Sequence, residues 1–179
     1  MKILKKSLIG LVGLVILVAI VGFLLPGSVH VERAITVNAP PEKVFDLVNS
    51  YENFNKWSPW YDRDPDAEYR FEGPASGVGA KMHWKSEQRD VGSGSQEIIE
   101  SRPGRLVRTA LDFGAQGTAI AFFEFEPEGN NTNVTWGFDS EFGNNIIGRY
   151  MGLMFDGWIG ADYEQGLANL KRLAESSGG

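Results

Sequence analysis

Residues 146–174 read IIGRYMGLMFDGWIGADYEQGLANLKRLA, and this stretch decides the fold. It holds no proline and runs far beyond the roughly dozen residues of an average helix. Apolar side chains recur at Ile147, Tyr150, Met151, Met154, Phe155, Trp158, Tyr163, Leu167 and Leu170. Steps of three and four residues place them on one side of a helix, so the spacing predicts one long amphipathic helix over 144–174. That side needs a partner. The chain from about residue 29 to residue 140 has the other periodicity, short alternating runs, and a curved sheet wrapped around the helix with a space between them is the expected arrangement.

Working back, Val29, Val31, Ile35 and Val37 alternate with His30, Glu32 and Thr36, with Arg33 as the exception on the apolar side. Pro40 and Pro41 suit the first turn of a helix carrying Val44, Phe45, Leu47 and Val48. A short helical piece at 51–55 leads to Trp57-Ser58-Pro59-Trp60, where Pro59 is expected to break any helix. Strands are then expected around Tyr69 and Phe71, and over 81–85, 95–101, 106–113, 118–126 and 133–138, with Gly- and Pro-bearing turns between them. Strand, short helices, antiparallel meander, long helix: the class is α+β.

The first residues are different. Leu8–Leu25 contains no polar side chain, follows Lys2, Lys5 and Lys6, and is long enough for a bilayer core of ~30 Å. Its apolar run exceeds that of a secretory signal and no small-x-small site follows, so an uncleaved anchor is expected over 1–28. The domain proper is expected over 29–175 and a disordered tail over 176–179. The lysines keep the N-terminus in the cytoplasm, which makes a single-pass protein of the inner (cytoplasmic) membrane with its domain on the periplasmic or extracellular side. Beyond Ser28 lie all 23 acidic residues and 14 of the 17 Lys and Arg, a net charge of about −9. That argues against nucleic acid and against electrostatic adhesion to anionic lipid. The chain has no cysteine, hence no disulfide, no thiolate nucleophile and none of the common zinc sites.

Taken together, VERAITVNAPPEKVFDLVNSYENFNKWSPW, GVGAKMHWKS, EFEPEGNNTNVTWGFDSE and DYEQGLANLKRLAE resemble the polyketide cyclase/dehydrase-like branch of the SRPBCC (START-like) superfamily. The resemblance spans about 29–175 and rests on the Ala-Pro-Pro-x-x-Val-Phe start, the Trp-Ser-Pro-Trp box and the Gly-x-Gly-x-x-Met-x-Trp strand. It implies a helix-grip fold: a seven-stranded antiparallel sheet gripping the C-terminal helix over a hydrophobic cavity. It leaves function open, because the fold hosts carriers, receptors and cyclases.

The expected cavity lining is Trp57, Trp60, Phe71, Met82, Trp84, Phe113, Phe123, Phe125, Trp136, Met151, Met154, Phe155 and Trp158. By pattern alone the same residues read as ordinary core. The tryptophans at 57 and 60 fit either a cavity mouth or a structural corner. His83 alternates with Met82 and Trp84 and is expected to face solvent with Lys81 and Lys85, so a catalytic role is not assigned. His30 and His83 are far apart and form no metal-ligand spacing. Glu97 and Glu100, Glu124 and Glu126, and Asp139 and Glu141 could pair carboxylates, and Asp156 and Asp162 interrupt the helix, where a solvated face or a salt bridge to Arg149 is expected, with Arg33 and Arg108 as further candidate partners for such acids. The helix glycines 148, 152, 157, 160 and 166 suggest close approach of the sheet or room for a ligand. The Gly-rich pieces at 77–79 and 92–94 are hairpin turns without the Lys of a phosphate loop. The expected function is a membrane-anchored module of bacterial look that binds an apolar small molecule or lipid, without cofactor or metal. A cyclase/dehydrase-like enzyme, or a non-ligand periplasmic interaction or stress protein, are the alternatives. The first is preferred because apolar wall is plentiful and catalytic chemistry sparse.

Overall fold

The computed structural model describes residues 2–176; of the tail expected over 176–179, Ser176 ends the C-terminal helix and 177–179 lie outside the described residues. Helix α1 (Lys2–Leu24) is followed by strand β1 (Ser28–Val37) and three short helices, α2 (Pro41–Val48), α3 (Tyr51–Phe54) and α4 (Pro59–Arg63). Strands β2 (Glu68–Glu72), β3 (Lys81–Lys85), β4 (Ser93–Arg102), β5 (Leu106–Asp112), β6 (Thr118–Glu128) and β7 (Asn131–Glu141) precede helix α5 (Ile146–Ser176). The strands form one seven-stranded sheet in the order β1-β7-β6-β5-β4-β3-β2, antiparallel throughout. The curved sheet and the long C-terminal helix are the helix-grip architecture.

Local chemistry explains the elements. Pro40 is extended (φ −67°, ψ 152°) and Pro41 opens α2, where its missing N–H costs no helical bond. At the Trp-Ser-Pro-Trp box Ser58 is extended before Pro59, so no helix runs through the box, and Pro59 itself opens α4. The β4–β5 hairpin closes with Arg105 N–H donating to the Arg102 carbonyl at 3.0 Å. Pro103 and then Gly104, at φ +62°, meet the demands of a type II turn. A bulge between Ile98 and Glu100 shifts the register of β4 and brings Glu100 to Arg102 (2.5 Å) and Arg108 (3.4 Å).

The core lies under the second half of α5. Tyr163, Leu167, Leu170 and Ala174 are buried against Val31, Val37, Val134 and Trp136, with α2 adding Val44, Phe45 and Val48. The first half departs from the expected amphipathic helix. Ile147, Met151, Leu153, Met154 and Trp158 remain exposed there, because the sheet's partner for α5 is chiefly edge strand β1 and that contact begins near residue 156. Arg33 on β1 donates to Glu164 (2.8 Å) and Asp156 (3.0 Å), and farther on Lys171 donates to the Thr36 carbonyl and the Asn38 N–H to Glu175, each at 2.7 Å. Asp156 and Asp162 therefore pair with Arg33 and Arg63, not with Arg149. Arg149 is used elsewhere, on the end of α1.

Candidate functional site

A helix held toward the β1 edge leaves room over the other strands. A cavity of about 670 Å³ lies there, between β3–β5, the end of β7 and the first half of α5. Its walls combine Trp60 and Tyr69, Met82 and Trp84 of β3, Gln96 and Leu111 of β4 and β5, Phe113, Phe138, and Met151, Phe155, Trp158 and Tyr163 of α5. Trp84 is fixed by its indole N–H donating to the Val91 carbonyl (3.2 Å) and by edge contact with Phe113 (6.0 Å). A smaller chamber of about 40 Å³ adjoins it, lined by Tyr51, Val107, Thr109, Phe123 and Trp136 and sharing Phe54, Trp60, Gln96, Leu111 and Tyr163 with the main cavity.

The expected lining residues divide accordingly. Trp60, Met82, Trp84, Phe113, Met151, Phe155 and Trp158 border the main cavity, and Phe123 and Trp136 the inner chamber. The other four do not. Trp57 is fully buried behind Phe54 (4.7 Å between ring centroids), its N–H donating to the Leu47 carbonyl at 3.0 Å, so it is the structural corner. Phe125 packs edge-on against Phe45 of α2 (5.8 Å). Phe71 lies on edge strand β2 and stays exposed, and Met154 lies on the outward side of α5. Tyr69, Leu111, Phe138 and Tyr163 were legible as inward positions from strand alternation and the helix stripe but are absent from the expected lining. Gln96 carried a further signal, a polar residue at an inward position two before Ile98. The 89–92 loop carried none.

The lining also carries charged groups, Arg89, Asp90, Glu141 and Asp162, beside neutral polar ones such as Gln96 and Tyr163. Burial raises the Tyr163 phenol far above its ordinary range, and Tyr51 shifts the same way for the same first reason, with the Glu97 charge adding to it. Both therefore stay protonated as hydroxyls. The Tyr51 hydroxyl is buried without a hydrogen-bond partner. Asp162 reaches the wall but is held in a two-bond pair with Arg63. His83 lies outside the cavity lining, 3.3 Å from Glu72. The helix glycines act by contact: a Cβ on Gly166 would come 2.6 Å from Trp136, and one on Gly152 2.5 Å from Phe142. Among the described residues no group of three His, Cys, Asp or Glu side chains could hold a metal.

Comparison with known proteins agrees with this geometry. The profile of a family described as polyketide cyclase/dehydrase and lipid transport matches residues 28–175. No curated protein sequence matches the chain. Among solved structures, protein CV1439 from Chromobacterium violaceum is similar at a TM-score of 0.58 and 19% identity, over 84% of this chain and 99% of that one. TTHA0849 from Thermus thermophilus is similar at 0.60 and 16%, again over 84% and 99%. The di-domain ARO/CYC StfQ of the steffimycin biosynthetic pathway is similar at 0.63 and 12%, over 84% of this chain and 51% of that one. At these identities the likeness is one of fold.

Proposed function

This chain belongs to the polyketide cyclase/dehydrase and lipid transport family, and from that premise we propose that it is a membrane-anchored module binding an apolar small molecule or lipid between sheet and helix. The observation that carries the reading is the cavity of about 670 Å³ with Trp60, Met82, Trp84, Phe113, Met151 and Phe155 in its walls. That volume falls in the range of about 300–1,000 Å³ usual for small-molecule sites, and aromatic and thioether walls suit a ligand recognised by shape and apolar area. Helix α1 supports the anchor. Over Lys6–Leu24 its mean hydropathy is 2.9 and almost none of it is buried, so it is long and apolar enough to cross a membrane. With Lys2, Lys5 and Lys6 before it, the N-terminus stays in the cytoplasm and the domain from about residue 29 faces the periplasm or exterior.

Binding is preferred to cyclase chemistry because the Tyr163 hydroxyl is held protonated and, of the lining carboxylates Asp90, Glu141 and Asp162, the one on α5 is spent on Arg63. In this reading Gln96 and the free Tyr51 hydroxyl orient the ligand's polar end.

The test is native mass spectrometry of the fragment from Ser28 onward, purified from its host without detergent and checked for folding by circular dichroism. An apolar molecule of defined mass should accompany it. A folded fragment that is empty and takes up no fluorescent fatty acid rejects the binding module. Conversion of the extracted molecule by the protein would move the assignment to an enzyme.

A further inference from the structure

The start of α5 holds the end of α1. Arg149 donates through Nη1 to the carbonyls of Phe23 (2.7 Å) and Leu25 (2.9 Å), acceptors that the end of a helix leaves open. The Tyr150 hydroxyl donates to the Val18 carbonyl at 2.9 Å, and Gly22 lies against Ile146 and Tyr150.

Past this contact α5 is apolar and bare. Among the described residues, eight large apolar side chains outside α1 are exposed: Phe71, Val78, Ile99, Ile147, Met151, Leu153, Met154 and Trp158. Five of them fall within residues 147–158, Ile147 at 73% exposure and Leu153 at 62%. The charged residues of that half-helix are Arg149, committed to α1, and Asp156, paired with Arg33. A concentrated apolar face of this kind marks an interaction site. Its neighbour decides which: it adjoins α1, among the described residues the one helix apolar enough to span a bilayer.

We propose that residues 147–158 of α5 insert into the lipid surface beside α1 and that the cavity opens at that level. Ile147, Met151 and Trp158 belong both to the exposed face and to the cavity wall. A ligand partitioned in the bilayer then reaches the cavity without crossing water. The attachment is apolar, as it must be for a domain carrying about −9, and resembles an interfacial helix whose apolar side sinks ~5–10 Å into the headgroup boundary, with Trp158 suited to that depth. The inference rests on the reading of α1 as an anchor.

The lack of cysteine permits single-site labelling. The full chain is placed in phosphatidylcholine vesicles with an environment-sensitive fluorophore on Leu17→Cys, Met154→Cys or Lys85→Cys, and quenched with doxyl-labelled phosphatidylcholine. Leu153→Cys serves if the first α5 variant does not fold. Emission should be lost at 17 and at 154 and kept at 85. Loss at 17 with emission kept at 154 overturns the inference and leaves the anchor standing. Emission kept at 17 removes both. Self-quenching at 154 without lipid quencher assigns the face to a second copy of the chain and also overturns it.

Discussion

The Tyr163 ring lies face to face with the Trp136 indole, centroids 3.8 Å apart and planes 10° from parallel. This stack joins α5 to the centre of the sheet, and Phe123 backs it on the strand side at 4.8 Å. Trp136→Ala should therefore destabilise the fold by about 3–5 kcal/mol. Trp158→Ala, on the bare half of the same helix, should move stability by no more than about 0.5 kcal/mol. Urea unfolding of the two variants beside the parent checks the contrast.

Two helix glycines should respond in opposite directions. Gly166→Ala drives a methyl to 2.6 Å from Trp136 and should cost about 1–3 kcal/mol. Gly157 has nothing near its missing Cβ, so Gly157→Ala should stabilise by about 0.5–1 kcal/mol through helix propensity alone. Melting temperatures in one detergent give both signs.

His30 should make stability weakly pH-dependent. Its pKa is raised above the ordinary value chiefly by the hydrogen bond to Asp139 at 2.7 Å, which outweighs the opposing effect of burial, with a lesser contribution from Glu32 at 3.3 Å. A raised folded pKa means the contribution is complete below the unfolded pKa of about 6.5 and is lost as pH rises through the folded value above it. The pair is half exposed, so the effect should stay below about 1 kcal/mol. An NMR titration should place His30 above 6.5, and Asp139→Asn should bring it down.

Narrowing the cavity mouth should weaken ligand uptake without unfolding the protein. Ala115 is exposed on the rim, and Ala115→Trp should lower affinity for a fluorescent fatty acid about tenfold, or ~1.4 kcal/mol. Ile99→Ala, exposed and away from the cavity, should leave it unchanged. Equal affinities for the two variants would contradict the site.

The α1–α5 contact can be trapped. Gly22→Cys with Ile146→Cys should form a disulfide on mild oxidation, since Gly22 faces the Ile146 side chain. Adding Arg149→Ala removes the donor to Phe23 and Leu25 and should reduce the yield, read on a non-reducing gel after proteolysis between the two sites.

The sequence by itself determined the element order, the seven-strand class through its resemblance, and the apolar span, because periods of two and near 3.6 and a run of uncharged residues are properties of consecutive positions. It also marked part of the cavity wall, since inward strand positions such as Met82 and Trp84 follow from alternation. It did not distinguish wall from filler: Trp57 and Trp60 read alike, yet one is walled in by Phe54 and the Leu47 carbonyl while the other borders open space. It also treated α5 as one stripe. Only the tertiary structure decided that Arg33 holds the helix at the β1 edge from residue 156 onward, leaving Ile147 to Trp158 to the cavity, to α1 and to the surroundings. A helix's periodicity records that a side is apolar. What covers that side depends on residues more than a hundred positions away, and that pairing exists only once the chain is folded.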